Sequence, residues 1–153
     1  MRALNADLHC HSTVSDGLLA PADVVRRAHA NGVELLALTD HDETGGLAEA
    51  RTMALELGVP FLNGVEISIS WGDDQTVHII GLGIDPDNEV LLDGLRNVRS
   101  GRDSRAQRMA DELDKVGIHG AYEVARKYVG NPALVSRSHF ARYIVESGRE
   151  VSF

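Results

Sequence analysis

An α/β fold is predicted for this chain, with its strands arranged as part of a parallel sheet or barrel. Two observations carry that expectation. Short apolar runs alternate with segments of helical period in the order β-α-β-α-β. Three clusters, Asp7-Leu8-His9-Cys10-His11, Thr39-Asp40-His41-Asp42 and Gly64-Val65-Glu66, fall where successive apolar runs end. In β/α barrels the reactive groups collect beyond the C-terminal ends of the strands, so this placement ties fold to chemistry.

Residues 3–9 form the first expected strand. Pro21 suits a first helical turn, where its missing N–H costs nothing, and Val24, Val25 and Ala28 recur at helical spacing through 22–30. Asn31-Gly32 is a stop signal of the C-cap kind. Residues 33–38 are apolar except for Glu34, the pattern of a strand buried on both faces. Gly45-Gly46 leads into an alanine- and leucine-rich helix over 47–57, closed by Gly58. A strand follows over 59–62, running on to Glu66 and toward Ile69. Asp73-Asp74 reads as a turn, and 76–82 as a further strand holding His78. From Asn88 the pattern is helical, with breaks at Gly117–Gly120 and Gly130-Asn131-Pro132.

The expected organisation is a first barrel half over 1–87 and a helical segment over 88–153, the start of an inserted subdomain. A closed β/α barrel takes about 250 residues, and roughly 200 at the lower end. Only four strands are readable in 153 residues, so the C-terminal barrel half is expected to be absent from this chain.

Hydrophobic residues make up 43% of the chain, enough for a packed core. Cys10 is the only cysteine, which rules out an intrachain disulfide and favours a reducing, cytoplasmic setting. No run approaches the ~18 apolar residues of a membrane span, so no membrane partner is expected. The formal net charge of −8 argues against nonspecific binding of duplex DNA. Two or three divalent ions would add roughly +4 to +6 locally, so a small anionic substrate remains compatible with that charge. The oligomeric state is open.

His9 and His11, two apart at a strand end, project from one face. Alone they could be surface polarity. With Asp16, His41 and Glu66 nearby in the predicted fold, a metal site is the stronger reading. Asp16 sits in an Asp-Gly turn that can aim its carboxylate back. A buried Glu66 needs a cation partner. His78, between Val77 and Ile79, reads as a core histidine alone and as a ligand beside Glu66. Asp7 and Asp40 are expected to brace the ligands by hydrogen bonds. Asp42 could do the same or cap the following helix. His139 lies in Ser136-Arg137-Ser138-His139-Phe140-Ala141-Arg142 at a helix start. There His139 is expected as a further ligand and Arg137 as a clamp on a substrate phosphate.

Cys10 is expected to pack as a small apolar residue on the opposite face. His29 and His119 read as structural or exposed. Arg96, Arg99, Arg102, Arg105 and Arg108 recur every three residues, which drifts around a 3.6-residue helix and describes a solvated surface from which one or two could reach a nucleotide phosphate. The imidazole and carboxylate donors suit Mn²⁺, Fe²⁺ or Zn²⁺.

The segments Asp7-Leu8-His9-Cys10-His11-Ser12, Leu38-Thr39-Asp40-His41-Asp42, Asn63-Gly64-Val65-Glu66 and Val77-His78-Ile79-Ile80-Gly81 resemble the PHP (polymerase and histidinol phosphatase) domain. Asn131-Pro132 and the segment around His139 extend the resemblance through essentially the whole chain. It is closest to bacterial phosphoesterases acting on nucleoside 3′,5′-bisphosphates, whose relatives include 5′-to-3′ exoribonucleases. The resemblance implies a distorted seven-stranded β/α barrel around two or three divalent ions, Mn²⁺ foremost. His9, His11, Asp16, His41, Glu66, His78 and His139 would be ligands. A late Asp-x-His pair completes the family's set, and no such pair follows His139 here.

The implied reaction is metal-assisted hydrolysis of a nucleotide phosphomonoester, such as that of a nucleoside 3′,5′-bisphosphate. The ions would acidify water and polarise phosphoryl oxygens. Arg137 would bind the phosphate, and His41 or His78 would protonate the leaving oxygen. The alternatives are 5′-to-3′ degradation of short RNA and, in another class, a noncatalytic metal-binding module or inactive fragment. Histidinol phosphate is disfavoured, because Asp16 stands where other branches carry histidine.

Overall fold

The structure, a computed structural model, describes residues 3–71, 75–129 and 134–148. The expected turn at Asp73-Asp74 and the break at Gly130-Asn131-Pro132 lie outside the described residues. The chain divides into two compact units, Met1–Val98 and Arg99–Phe153, with the division inside one long helix.

The first unit is built on a curled four-stranded sheet in the order β1-β2-β3-β4. β1 (Ala6–Cys10), β2 (Leu35–Leu38) and β3 (Phe61–Trp71) run parallel; β3 and β4 (Gln75–Leu82) pair antiparallel. Helix α1 (Pro21–Ala30) connects β1 to β2, and α2 (Leu47–Leu57) connects β2 to β3. Parallel neighbours require such crossovers, whereas antiparallel ones can be joined by a short turn.

Pro21 occupies the start of α1, and Gly58 ends α2 in the left-handed conformation at φ 68°. Both punctuation marks act as their chemistry dictates. The two helices cover one face of the sheet. Val24, Val25, Ala28, Leu47, Ala50 and Ala54 enclose Leu36 and Leu38 of β2 in one core, with Val59 beside them. Cys10 packs against this core and donates its thiol to Ala37 O at 3.2 Å. Side chains alternate along a strand, so Cys10 on the helix side sends Asp7 and His9 to the other side.

β3 is longer than the sequence pattern defines, starting at Phe61 and reaching Trp71. Val59 still belongs to the α2 terminus, its N–H bonded to Ala54 O. Gly64 allows β3 to lie close against β2: a Cβ there would come 2.7 Å from Thr39 Cγ2 and 2.9 Å from Leu38 O. The His41↔Glu66 bridge continues the β2–β3 contact past the end of β2.

The second unit is helical. It comprises the later part of α3 (Glu89–Lys115), then α4 (Ala121–Ala125), a 3₁₀ turn (Arg126–Tyr128) and α5 (Arg137–Glu146). Ala106, Ala110, Ala121, Ala125, Val129, Val135 and Phe140 form its core. Arg102 corrects the reading of α3 as uniformly solvated. It is buried at 8% exposure, because one side of the helix turns into this unit. Among the described residues no helix is long and apolar enough to cross a membrane.

Burial, followed by the charges of Asp7 and Asp40, pushes the Cys10 thiol up to about 12, so it stays protonated and unreactive at pH 8. Labelling by iodoacetamide at pH 8 is expected to be at least about tenfold slower in the native protein than in urea. Equal rates would contradict the packing of Cys10.

Candidate metal centre

Glu66 is the hub. It lies on β3 at 5% exposure, and its two oxygens face four imidazoles. Oε2 lies 2.9 Å from His9 Nε2, 3.0 Å from His11 Nε2 and 3.4 Å from His41 Nδ1. Oε1 lies 3.1 Å from His78 Nδ1. Asp16 approaches from the other side, 3.6 Å from His11 Nδ1 and 3.8 Å from His41 Nε2. The four rings follow one another, with centroids 5.1 Å (His9–His11), 4.6 Å (His11–His41) and 5.0 Å (His41–His78) apart.

Each side chain is delivered by a different part of the sheet. β1 carries His9 near its end and leads to His11; the segment after β2 carries His41; β3 carries Glu66 and β4 carries His78. Register places His78 opposite Ser68, so His78 and Glu66 stand on one face of the hairpin. The hydroxyl of Ser68 lies 3.5 Å from His78 Nδ1.

Among the described residues, three groups could therefore each hold a cation: His9, His11 and Glu66; His11, Asp16 and His41; His41, Glu66 and His78. The donor chemistry fits a divalent ion. His9 Nε2 and His11 Nε2 approach each other at 3.2 Å while both face the same carboxylate oxygen, a convergence of electron-rich atoms that a cation satisfies. Burial favours the protonated form of Glu66. The hydrogen bond from His9 and the charges of His41, His11 and His9 outweigh it and hold the carboxyl below its usual range.

Asp40 braces the loop that carries Asp16. Its Oδ1 accepts from Ser12 N at 2.7 Å and Ser15 Oγ at 2.6 Å, and its Oδ2 accepts from Ser12 Oγ at 2.7 Å. All three residues are buried. Gly17 closes the same loop against His11, whose carbonyl oxygen would lie 2.3 Å from a Cβ there. Ser12 and Ser15 are partners of Asp40 that sequence reasoning missed; their only signal is their nearness to the His-x-His pair.

Asp7 requires a correction. Its carboxylate accepts from the backbone N–H of His9 at 3.4 Å rather than from a histidine ring. The β1–β2 register shifts between Asp7 and Cys10, where this local bond forms. Asp42 caps no helix, since the N-cap of α2 is Gly46.

Two predicted site residues belong to the second unit. His139 is buried at the start of α5, where its Nδ1 lies 2.9 Å from Ser136 N and 3.0 Å from Ser136 Oγ in a capping box. Arg137 opens the same helix. With Arg105 and Arg108 it lines a groove of about 480 Å³ floored by Met109, Leu113 and Phe140. His29 and His119 belong to none of the three groups.

The chain is similar to known proteins. The PHP domain profile matches residues 7–105. The chain is 54% identical over 144 residues to a 3′,5′-nucleoside bisphosphate phosphatase of Chromobacterium violaceum, covering 94% of this chain and 50% of that protein. It is 41% identical over 148 residues to the 5′-3′ exoribonuclease Rnm of Escherichia coli, covering 95% and 50%. Among solved structures, an amidohydrolase from Chromobacterium violaceum with bound sulfate superposes at TM-score 0.92 with 53% identity, over 97% of this chain and 52% of that one. A structure from Bifidobacterium adolescentis assigned to the metal-dependent phosphoesterases superposes at 0.86 with 32% identity, over 99% and 53%. The chain spans about half the length of the curated relatives it matches.

Replacing Asp40 by Ala strands three buried donors, each worth about 1–3 kcal/mol when left without an acceptor. Urea unfolding of Asp40→Ala is expected to show a loss of at least about 2 kcal/mol. An unchanged midpoint would contradict the bracing role.

Proposed function

This chain belongs to the PHP domain family, and from that premise we propose that it carries the metal-binding part of a phosphoesterase acting on nucleotide phosphomonoesters. The single observation that carries the proposal is the buried Glu66 carboxylate shared by four imidazoles. Similarity to a nucleoside bisphosphate phosphatase supports a nucleoside 3′,5′-bisphosphate as the substrate. The proposed setting is a seven-stranded barrel in a reducing cytoplasm, with two or three divalent ions, Mn²⁺ foremost and Fe²⁺ or Zn²⁺ as substitutes.

His9, His11, Asp16, His41, Glu66 and His78 would hold the ions. His139, whose Nδ1 accepts from Ser136 N in this structure, is the proposed seventh ligand. Bound divalent ions supply Lewis acidity, acidifying water near neutral pH and stabilising charge on phosphoryl oxygens. The chain's own residues do the rest. Glu66 spans the imidazoles and fixes their separation. Arg137 presents a planar pair of donors to the substrate's phosphate oxygens, which positions the ester rather than cleaving it.

In hydrolysis a water oxygen bonds to phosphorus as the P–O ester bond breaks, and the leaving oxygen takes up a proton. His41 has one ring nitrogen toward Glu66 and the other toward Asp16. His78 points its Nδ1–H at Glu66 and its side chain is 41% exposed, so the proton it can give is the one on Nε2 of the protonated ring. His78 is therefore the better placed proton donor.

Phosphate release from a nucleoside 3′,5′-bisphosphate tests the reading. With Mn²⁺ present, hydrolysis is expected to be abolished by chelation and lowered at least about 100-fold in Glu66→Gln. Metal-dependent release that survives Glu66→Gln would overturn it, and Mn²⁺ binding without any hydrolysis would identify a noncatalytic module. Similarity to exoribonuclease Rnm favours short RNA as a second substrate. Faster turnover of a 5′-phosphorylated oligoribonucleotide than of the bisphosphate would favour that reading.

A further inference from the structure

Asp42 stands among the metal-centre residues yet belongs to none of the three cation groups. It is fully buried. Among the described residues it is the one non-glycine with positive φ, at 51°. Asp and Asn enter this left-handed region more readily than other side chains, but it remains an uncommon conformation that surrounding contacts must hold.

The contacts are specific. β2 ends at Leu38, so among the described residues the edge of β3 that faced it has no strand neighbour beyond Glu66. The backbone around His41 extends the pairing by one step: Glu66 N donates to Asp40 O at 3.2 Å, and Asp42 N donates to Glu66 O at 2.8 Å. The next N–H on that edge is Ser68 N, two residues on. The left-handed turn at Asp42 brings its carboxylate to that N–H, and Oδ1 accepts at 2.7 Å. A side chain thus takes the place of the missing strand.

We propose that Asp42 is a positioning residue for the metal centre, locking β3 on both sides of Glu66 and so setting where its carboxylate meets the imidazoles. The lock reaches His78 as well, because Ser68 Oγ lies 3.5 Å from His78 Nδ1. Asp40 and Asp42 then divide the work around His41. The first holds the Asp16 loop and the second holds the strand that carries Glu66. The proposal rests on the metal-binding reading of that centre.

Two variants separate the acceptor from the backbone turn. Asp42→Asn keeps an acceptor oxygen and tolerates the left-handed conformation. Asp42→Gly adopts that conformation freely but offers no acceptor. In the full chain, Mn²⁺ titration followed by electron paramagnetic resonance is expected to give Asp42→Asn an affinity within about threefold of the wild type. Asp42→Gly, folded by circular dichroism, is expected to bind about 10–100-fold more weakly. Wild-type affinity in a folded Asp42→Gly would overturn the proposal, and so would a tenfold or greater loss in Asp42→Asn. Should the glycine variant not fold, the asparagine variant decides the matter by the same threshold.

Amide exchange at Ser68, measured without metal, keeps this proposal separate from the metal reading. If the wild type itself binds no Mn²⁺, the metal reading fails. Faster Ser68 exchange in Asp42→Gly would still support the lock, and unchanged exchange would overturn it.

Discussion

A carboxylate withdrawn from water among four histidine rings is the constraint on which the first unit depends. Burial alone disfavours the charged form of Glu66, and the imidazoles reverse that preference. The rings in turn crowd around the carboxylate, two of them with nitrogens 3.2 Å apart. Such an assembly persists only where the backbone is fixed from several directions. A buried polar network that is fully satisfied specifies one arrangement, and a partly satisfied one costs free energy.

The sheet meets that demand by dividing its two faces. The helix side is an apolar core in which Leu36 and Leu38 are fully buried beneath α1 and α2. The other side carries Glu66 and the histidines. Parallel pairing of β1, β2 and β3 aligns the strand ends, and the antiparallel return of β4 places His78 across from Ser68. Residues distant in the chain thus arrive at one place because strand register sets their height. A one-residue slip would send the donor side chains to the helix side.

Much of this was legible in the sequence. The helix over 47–57 has the bounds read from its composition and its closing glycine, because glycine at a left-handed C-terminus is a local requirement. The juxtaposition of His9, His11, Asp16, His41, Glu66 and His78 was readable because strand period and strand ends are local features too. The partners of Asp40 were not. Ser12 and Ser15 meet it only once β1 lies beside β2, and no spacing in the chain encodes that contact. The end of β3 was underestimated because serines at 68 and 70 interrupt its apolar run in the sequence. Arg102 looked solvated for a similar reason, since packing rather than the three-residue spacing selects the buried side of α3.

Anomalous scattering at the manganese edge, from crystals grown with Mn²⁺, tests the central claim most directly, because it locates the ions without reference to activity. The account predicts peaks in contact with Glu66 and shared among His9, His11, His41, His78 and Asp16. Manganese bound elsewhere, with Glu66 and the four rings unliganded, would contradict it.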